Sequence, residues 1–493
     1  MNTSLYVLLV LILLMGALSV YCFQRLRRRQ NVAFRSLPAL GNVQPLDPNG
    51  NPVDWWLALK LPTSAFPQGG CCENAACPSS SKTSAGLCYL YADANNPQFT
   101  FRTCLGQPGQ SDPLSNTLNQ VWLLNGIQFQ LWNDQWGDGQ MHDPNNKSQG
   151  CNAPGAHSKG ALAYDTDGNG WYLNLSTPYF PDMSALPPDN SLGCQIDNNL
   201  LLAQHFFCFS LDQQNFEALA AAMTVPNFCA LCVPSDSCQS VDVATTLGQD
   251  ISLAFAHDSG DGSTDNVTVT LQTRGGMPIT AVLKGDTSNT SPWSLVATAL
   301  GTDLTVVNYW LSEPTLPTLC AGDVWDGSCI GSGNTINGSS LYFNDYNVEN
   351  VLQLTASPSN VTGLPGGNEI SWSATESENH MKWGISTPRT TSITNPYLCV
   401  FGSMNQEGSA GRNACGSSCS SGENGRGGDF FAFSNQALWT SLRNLISKVS
   451  SCADDSRVAD GYCTGGSSSP SEWGTRDTFW GNSANVRQDR AYV

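Results

Sequence analysis

The stretch His157–Ser176, HSKGALAYDTDGNGWYLNLS, decides how this chain is read. Two apolar segments flank Asp165–Gly170, DTDGNG, and Gly/Asp/Asn clusters of this kind turn a chain between strands, so the spacing predicts strand, turn, strand. His157 and Lys159 sit two residues apart at the entry to the first strand, and residues two apart on a strand face one side. The same His-x-Lys spacing recurs at His380 and Lys382 in HMKWGIS, ahead of PYLCVFGSMN (Pro396–Asn405), which reads as a second strand pair. The chain holds only five histidines and seven lysines. Placing two of each in matching contexts predicts one site built from two related halves. Folding the first hairpin about Asp167–Asn169 brings Ser176 toward Lys159; folding the second brings Ser403 and Asn405 toward His380.

Two imidazoles and two ammonium groups converging across a pseudo-twofold axis suit phosphodiester hydrolysis without a metal or cofactor. The lysines neutralise non-bridging phosphate oxygens, most strongly as charge builds in the transition state. One neutral imidazole attacks phosphorus to form a phosphohistidine. The other, protonated, donates to the leaving oxygen and then activates water. Free histidine titrates near ~6.5, so mildly acidic solution holds one ring in each form most readily.

Composition bounds the partners. Hydrophobic residues make up 40% and charged residues only 13% of the chain, the net charge is −18, and the sequence pI is about 4.5. The first 29 residues carry four arginines and no acid, so the remainder is more acidic still. That excludes general binding of nucleic acid by a basic surface; a polyanion must meet a local positive site. Of 19 cysteines, all but Cys22 lie outside the N-terminal apolar run, and such cysteine usage predicts an oxidising compartment and a disulfide-rich fold. The sequons at Asn146, Asn174, Asn266, Asn289, Asn337 and Asn360 agree with a glycoprotein of the secretory lumen, lysosome or cell exterior.

Leu5–Phe23 is uncharged and just long enough to span a bilayer, with Arg25, Arg27, Arg28 and Arg29 behind it. Residues 1–30 are read as a signal peptide or a membrane anchor with a basic flank, with the body placed in the lumen, and residues 31–50 as a linker; a virion-type anchor also fits. VDWWLALKLP (Val53–Pro62), GIQFQLWND (Gly126–Asp134) and LLLAQHFFCFSL (Leu200–Leu211) read as strands, with further strands near 266–272 and 304–310. Gln213–Thr224 reads as a helix and Asn435–Val449 as an amphipathic one. Residues 229–345 otherwise read as loop-rich, and residues 451–493 as a polar, weakly structured extension.

The residues around both His-x-Lys pairs resemble the deoxyribonuclease II family of the phospholipase D-like superfamily. PVDWWLALKLP, YLYAD (Tyr89–Asp93), LWNDQ (Leu131–Gln135), HSKGALAYDTDGNGWYLNLSTPYFP, AQHFFCFS (Ala203–Ser210), TESENHMKW, GSMNQ and RGGDFFAFSNQALW match its segments in order. The resemblance implies an α/β fold: a phospholipase D-like pseudo-dimer of two related halves, roughly 51–225 and 226–450, each a mixed β-sheet flanked by helices. It implies metal-independent cleavage of double-stranded DNA at acid pH, leaving 3′-phosphates. Carried over by position, His157, Lys159, His380, Lys382 and Asn405 are catalytic, supported by Asp165, Ser176 and Ser403. Three positions depart from the family: Tyr179 replaces an asparagine, Asn379 an acid and Ala432 a cysteine. The last leaves Cys399 to pair elsewhere or stay free, with Cys415 and Cys419 of the 407–425 insertion as candidate partners.

Other motifs weigh less. DTDGNG resembles the start of a calcium loop, but Ser176 stands where a bidentate Glu belongs, so a hairpin turn is expected. Cys229–Cys232 with Cys238 reads as disulfide-bonded rather than zinc-binding. His142, His205 and His257 lack patterned partners and read as structural, while Glu376 and Glu378 either orient His380 or end a solvated strand. Two other functions compete with the nuclease: a catalytically weak surface or virion protein, and a phosphodiesterase acting on another diester.

Overall fold

Strand-forming runs between residues 55 and 211 fold into one seven-stranded antiparallel sheet. Its members are β1 (Trp55–Lys60), β2 (Tyr89–Asp93), β3 (Thr100–Arg102), β4 (Gln128–Asn133), β5 (Lys159–Tyr164), β6 (Gly170–Leu175) and β7 (Gln204–Leu211), in the order β3-β2-β1-β7-β6-β5-β4. These coordinates come from a computed structural model, which describes residues 43–66, 87–106, 110–123, 127–134, 155–178, 180, 201–228, 263–308, 316, 318–321, 335–340, 345–375, 377–387, 396–408, 422–452 and 474–475. The hairpin read from His157–Ser176 is β5–β6, paired from Gly160 opposite Asn174 to Tyr164 opposite Gly170. Asp165 closes its turn: Oδ1 accepts the N–H groups of Asp167 and Asn169, each at 3.0 Å.

The second sheet has twelve strands: β8 (Asp265–Gln272), β9 (Pro278–Lys284), β10 (Leu304–Val307), β11 (Thr335–Ile336), β12 (Ser339–Ser340), β13 (Val348–Ala356), β14 (Ile370–Ser373), β15 (Trp383–Ser386), β16 (Leu398–Gly402), β17 (Gly428–Ser434), β18 (Ile446–Val449) and β19 (Gly474–Thr475). Its central run β8-β9-β17-β16-β15-β10 repeats the order β2-β1-β7-β6-β5-β4, with every neighbouring pair antiparallel in both. The helices repeat too. α1 (Pro113–Leu123) precedes β4 as α3 (Pro292–Leu300) precedes β10, and α2 (Gln213–Met223) follows β7 as α4 (Gln436–Leu445) follows β17. Equivalent caps start the second pair: the side chain of Asp212 accepts from Asn215 N–H and that of Asn435 from Leu438 N–H, satisfying donors that a helix start leaves open.

Strand alternation sorts the apolar residues into three layers. Phe207 and Phe209 of β7 face Phe401, Phe431 and Phe433 of the second sheet; Phe207 stacks on Phe433 with centroids 5.3 Å apart, and Phe209 lies 5.1 Å from Phe431. The intervening Phe206 and Cys208 point to the opposite face and pack with Leu114 and Leu118 of α1. On the outer face of the second sheet Val282, Val400 and Phe430 pack with Trp293 and Val296 of α3. The two sheets therefore meet through an aromatic core, which brings the two strand repeats together.

Several expectations change. The helix expected over Asn435–Val449 stops at Leu445, because Ile446–Val449 pairs with β13 as β18 and Ile446 takes extended backbone. The region read as loop-rich contains α3. Beyond residue 451 the chain is tied down at Cys452, disulfide-bonded to Cys320, and at β19, which pairs with β18. Cys88 and Cys104 are also disulfide-bonded, whereas Cys208 and Cys399 are buried free thiols. Asn174 and Asn266 are fully buried, so neither sequon can take a glycan in the folded chain. Among the described residues no helix is long and apolar enough to cross a membrane; Leu5–Phe23 lies outside them. Tyr179, Glu376, His142, His257, Cys229, Cys232, Cys238, Cys415 and Cys419 also lie outside the described residues.

Candidate active site

Both His-x-Lys pairs stand where the two sheets meet. His157 precedes β5, and its backbone N–H donates to the Gly427 carbonyl at 2.9 Å. His380 precedes β15, and its N–H donates to the Ala203 carbonyl at 2.8 Å. Each histidine is thereby docked on the other sheet. The rings repeat the exchange: His157 Nδ1 lies 2.8 Å from the Ser403 carbonyl and His380 Nδ1 lies 2.7 Å from the Ser176 carbonyl. A carbonyl only accepts, so each Nδ1 carries the proton and each Nε2 keeps its lone pair. Ser176 and Ser403 were expected to serve the His-x-Lys pair of their own hairpin. Their carbonyls serve the opposite one.

Lys159 Nζ lies 3.3 Å from His157 Nε2 and donates to Asp134 Oδ1, whose other oxygen takes Arg426 Nη2 at 3.0 Å. Burial raises the Asp134 carboxyl, but Lys159 and Arg426 outweigh it and hold the group below the usual carboxylate range. Lys382 Nζ lies 3.3 Å from His380 Nδ1 and donates to the His380 carbonyl at 3.0 Å. Burial and the nearby Lys159 depress it well below the ordinary amine value, against Glu423, Glu407 and Asp134. Burial first, then Lys159, Arg426 and Lys382, push His157 well below the imidazole range; burial, Lys382, Lys159 and His157 do the same to His380. Both rings are therefore biased toward the neutral form, and each feels both lysines. Each histidine is 5% exposed, the lysines 1% and 0%.

A polar frame lies beneath. Asp429, fully buried on β17, accepts four hydrogen bonds: Ser158 Oγ (2.7 Å) and Ser403 Oγ (2.6 Å) at Oδ1, Tyr172 Oη (2.8 Å) and Asn174 Nδ2 (3.1 Å) at Oδ2. Burial raises its carboxyl while these four donors oppose the shift. His205 holds the equivalent place on β7. Its N–H bonds Ser176 Oγ as Asp429 N–H bonds Ser403 Oγ. His205 Nδ1 accepts the Lys382 N–H at 3.1 Å, so Nε2 donates to Asn174 Oδ1 at 3.0 Å. A continuous path, Lys382–His205–Asn174–Asp429–Ser403, thus links the two sheets under the rings.

Of the residues singled out from sequence, His157, Lys159, His380, Lys382, Ser176, Ser403 and Asn405 converge. Asn405 is 5% exposed and donates to Glu407 Oε1 at 3.1 Å, with its own Oδ1 buried and unpartnered. Asp165 does not join them; it lies six positions beyond Lys159, about 20 Å at strand rise. Asn379 is a buried backbone clamp that accepts Met381 N–H. Glu378 accepts Ser373 N–H rather than orienting His380. Asp134, Glu423, Arg426 and Asp429 were not singled out, although LWNDQ and RGGDFF contain two of the acids; His205, read as structural, is placed by its bonds to Lys382 N–H and Asn174 Oδ1. Glu423 Oε2 stands 3.5 Å from His157 Nδ1, and burial, opposed by Arg426 and reinforced by Glu407, pushes its carboxyl up to about 8. Among the described residues no group of three or more His, Cys, Asp or Glu is placed to hold a metal ion.

A family model described as Deoxyribonuclease II matches residues 44–452. Deoxyribonuclease-2-alpha of Mus musculus is 25% identical over 426 residues, covering 83% of this chain and 93% of the relative. A putative deoxyribonuclease-2 of Burkholderia pseudomallei is 23% identical over 424 residues, covering 81% and 91%. Cell-death-related nuclease 7 of Caenorhabditis elegans is 20% identical over 429 residues, covering 85% and 90%. The matched range spans both strand repeats and both His-x-Lys pairs, and the chain belongs to the deoxyribonuclease II family, as a hydrolase of the deoxyribonuclease type.

Proposed function

We propose that the protein is a metal-independent acid endonuclease of double-stranded DNA, built as a phospholipase D-like pseudo-dimer and working through a phosphohistidine. The reciprocal bonds from His157 Nδ1 to the Ser403 carbonyl and from His380 Nδ1 to the Ser176 carbonyl carry this reading. They leave two Nε2 lone pairs for the two roles the reaction needs. One Nε2 attacks the phosphorus and a P–N bond forms as the bond to the 5′-oxygen breaks; the other ring, protonated, gives that oxygen its proton. Water activated by the second ring then releases a 3′-phosphate and restores the first. Lys159 and Lys382 receive the non-bridging oxygens. Burial and the neighbouring cations disfavour protonation of both rings, and the entering phosphate anion offsets this so that one ring takes a proton in acid. Asn405 binds the phosphate beside Lys382. An acid lumen, lysosomal or extracellular, fits this chemistry and the oxidised Cys320–Cys452 pair.

Plasmid nicking by the purified chain at pH 5 and 7.5, with chelator present, tests the reading. We expect cleavage at pH 5 only, lost in His157→Ala and His380→Ala. Loss of cleavage on adding chelator would overturn metal independence. Absence of cleavage of any nucleic acid would favour a structural role, and cleavage of phospholipid but not DNA a different diester.

A further inference from the structure

Behind the two histidines lies a second pair of buried lysines. Lys60 ends β1 and Lys284 ends β9, the same place in the strand repeat, in the similar runs WLALK and TAVLK. Both side chains are fully buried. Lys284 Nζ donates to the carbonyls of Gly285 (3.1 Å), Asn424 (2.8 Å) and Arg426 (2.7 Å), one acceptor for each ammonium hydrogen. Lys60 Nζ donates to the Leu202 carbonyl at 2.6 Å.

In both repeats, the residue after the gripped carbonyl is the one that docks a catalytic histidine of the opposite sheet. Gly427 follows Arg426; its carbonyl accepts His157 N–H at 2.9 Å and its N–H reaches the Gly155 carbonyl at 3.3 Å. Ala203 follows Leu202; its carbonyl accepts His380 N–H at 2.8 Å and its N–H donates to the Glu378 carbonyl at 2.8 Å. Lysine, carbonyl, next residue and histidine backbone thus form the same chain of contacts twice, once in each direction across the sheet interface. Gly427 also leaves its segment no slack, since a Cβ there would stand 1.9 Å from the Pro226 carbonyl.

We propose that Lys60 and Lys284 are positioning residues for hydrolysis, each fixing the segment that holds the catalytic histidine of the opposite repeat. This rests on the hydrolytic reading above. Filling either site with an apolar side chain would spare the desolvation of an ammonium, and burial does depress both amines to about 7, with Glu423 and Asp286 pulling Lys284 back up. What the ammonium supplies in return is several donors converging on main-chain carbonyls that no side-chain hydrocarbon can hold. Misplacement of a catalytic group by about 1 Å can cost on the order of 10²-fold in rate, so a grip one residue removed from the histidine matters to chemistry.

The full chain carrying Lys60→Met or Lys284→Met, assayed on duplex DNA at pH 5, tests this. With kcat normalised to folded protein, we expect about 10- to 100-fold loss in kcat and little change in KM. Lys60→Gln and Lys284→Gln, which keep a donor, recover part of it. Folded Met variants with kcat within twofold of the parent overturn the proposal. If neither variant folds, amide exchange of the parent decides: the N–H groups of Ala203, Gly427, His157 and His380 exchange as slowly as those of β7 and β17, and loop-like exchange overturns it. A parent that cleaves no DNA refutes the nuclease reading instead, and the exchange measurement still tests the grip.

Discussion

Replacing Asp429 by asparagine removes one acceptor from the centre of the interface between the sheets. The four donors converging on its carboxylate come from both repeats, and asparagine offers one oxygen and one NH2 in its place. With the oxygen at Oδ1, the NH2 faces Tyr172 Oη and Asn174 Nδ2; flipping the Asn174 amide to accept would break its bond from His205 Nε2. With the oxygen at Oδ2, the NH2 faces two serine hydroxyls that already accept, Ser158 from Trp132 Nε1 and Ser403 from the Asp429 N–H. Those hydroxyls then lose the acceptor for their own hydrogens. Either way about two buried donors are orphaned, at ~1–3 kcal/mol each, giving about 2–6 kcal/mol. A chain of this size unfolds with an entropy near 1 kcal/mol per kelvin, so thermal melting at pH 5 should fall by about 2–6 °C. Because Ser403, whose carbonyl orients His157, is held by Asp429, kcat should fall at least about tenfold. A variant that melts within 1 °C of the parent and keeps its kcat would refute the claim that this carboxylate joins the repeats.

Asp134→Asn leaves Lys159 and Arg426 without the carboxylate they share and should cost about 3–5 kcal/mol in denaturant unfolding. Because the folded carboxyl is held below its ordinary value, this contribution is present above that value and is lost as pH falls through the folded one. Glu423 shows the opposite sign: its folded carboxyl is raised to about 8, so its contribution is complete below the unfolded value of 4.5 and lost as pH rises through about 8. Glu423→Gln, permanently neutral, should gain on the parent in melting temperature between pH 5 and 8, and parallel curves would count against the assignment. Gly427→Ala drives a Cβ into the Pro226 carbonyl and should part the His157 N–H from Gly427, lowering stability by about 2 kcal/mol or more and kcat with it; calorimetry and nicking at pH 5 read both.

The local structure around the site was legible in the residues. HSKGALAYDTDGNGWYLNLS alternates around a Gly/Asp turn, and β5–β6 follows. Gln213–Thr224 and the start of Asn435–Val449 carry caps and apolar periodicity, and α2 and α4 follow. The failures have a common cause. Ile446–Val449 continues a helical pattern locally but gains more by pairing with β13, a partner nearly a hundred residues away. Ser176 and Ser403 were assigned to their own hairpins because a hairpin is all that local pattern shows. Asp165 stood out by its spacing from His157 yet serves only its turn.

By itself the sequence determined the strands, the turns and the chemical inventory: two imidazole–ammonium pairs in matching contexts, because alternation and turn preference act over a few residues. Only the tertiary structure decided which serine carbonyl orients which histidine, which acid sits beneath them, and that both rings turn Nδ1 to a carbonyl. Those partnerships depend on how the faces of two sheets stack, and that stacking is set by an aromatic core drawn from residues hundreds of positions apart.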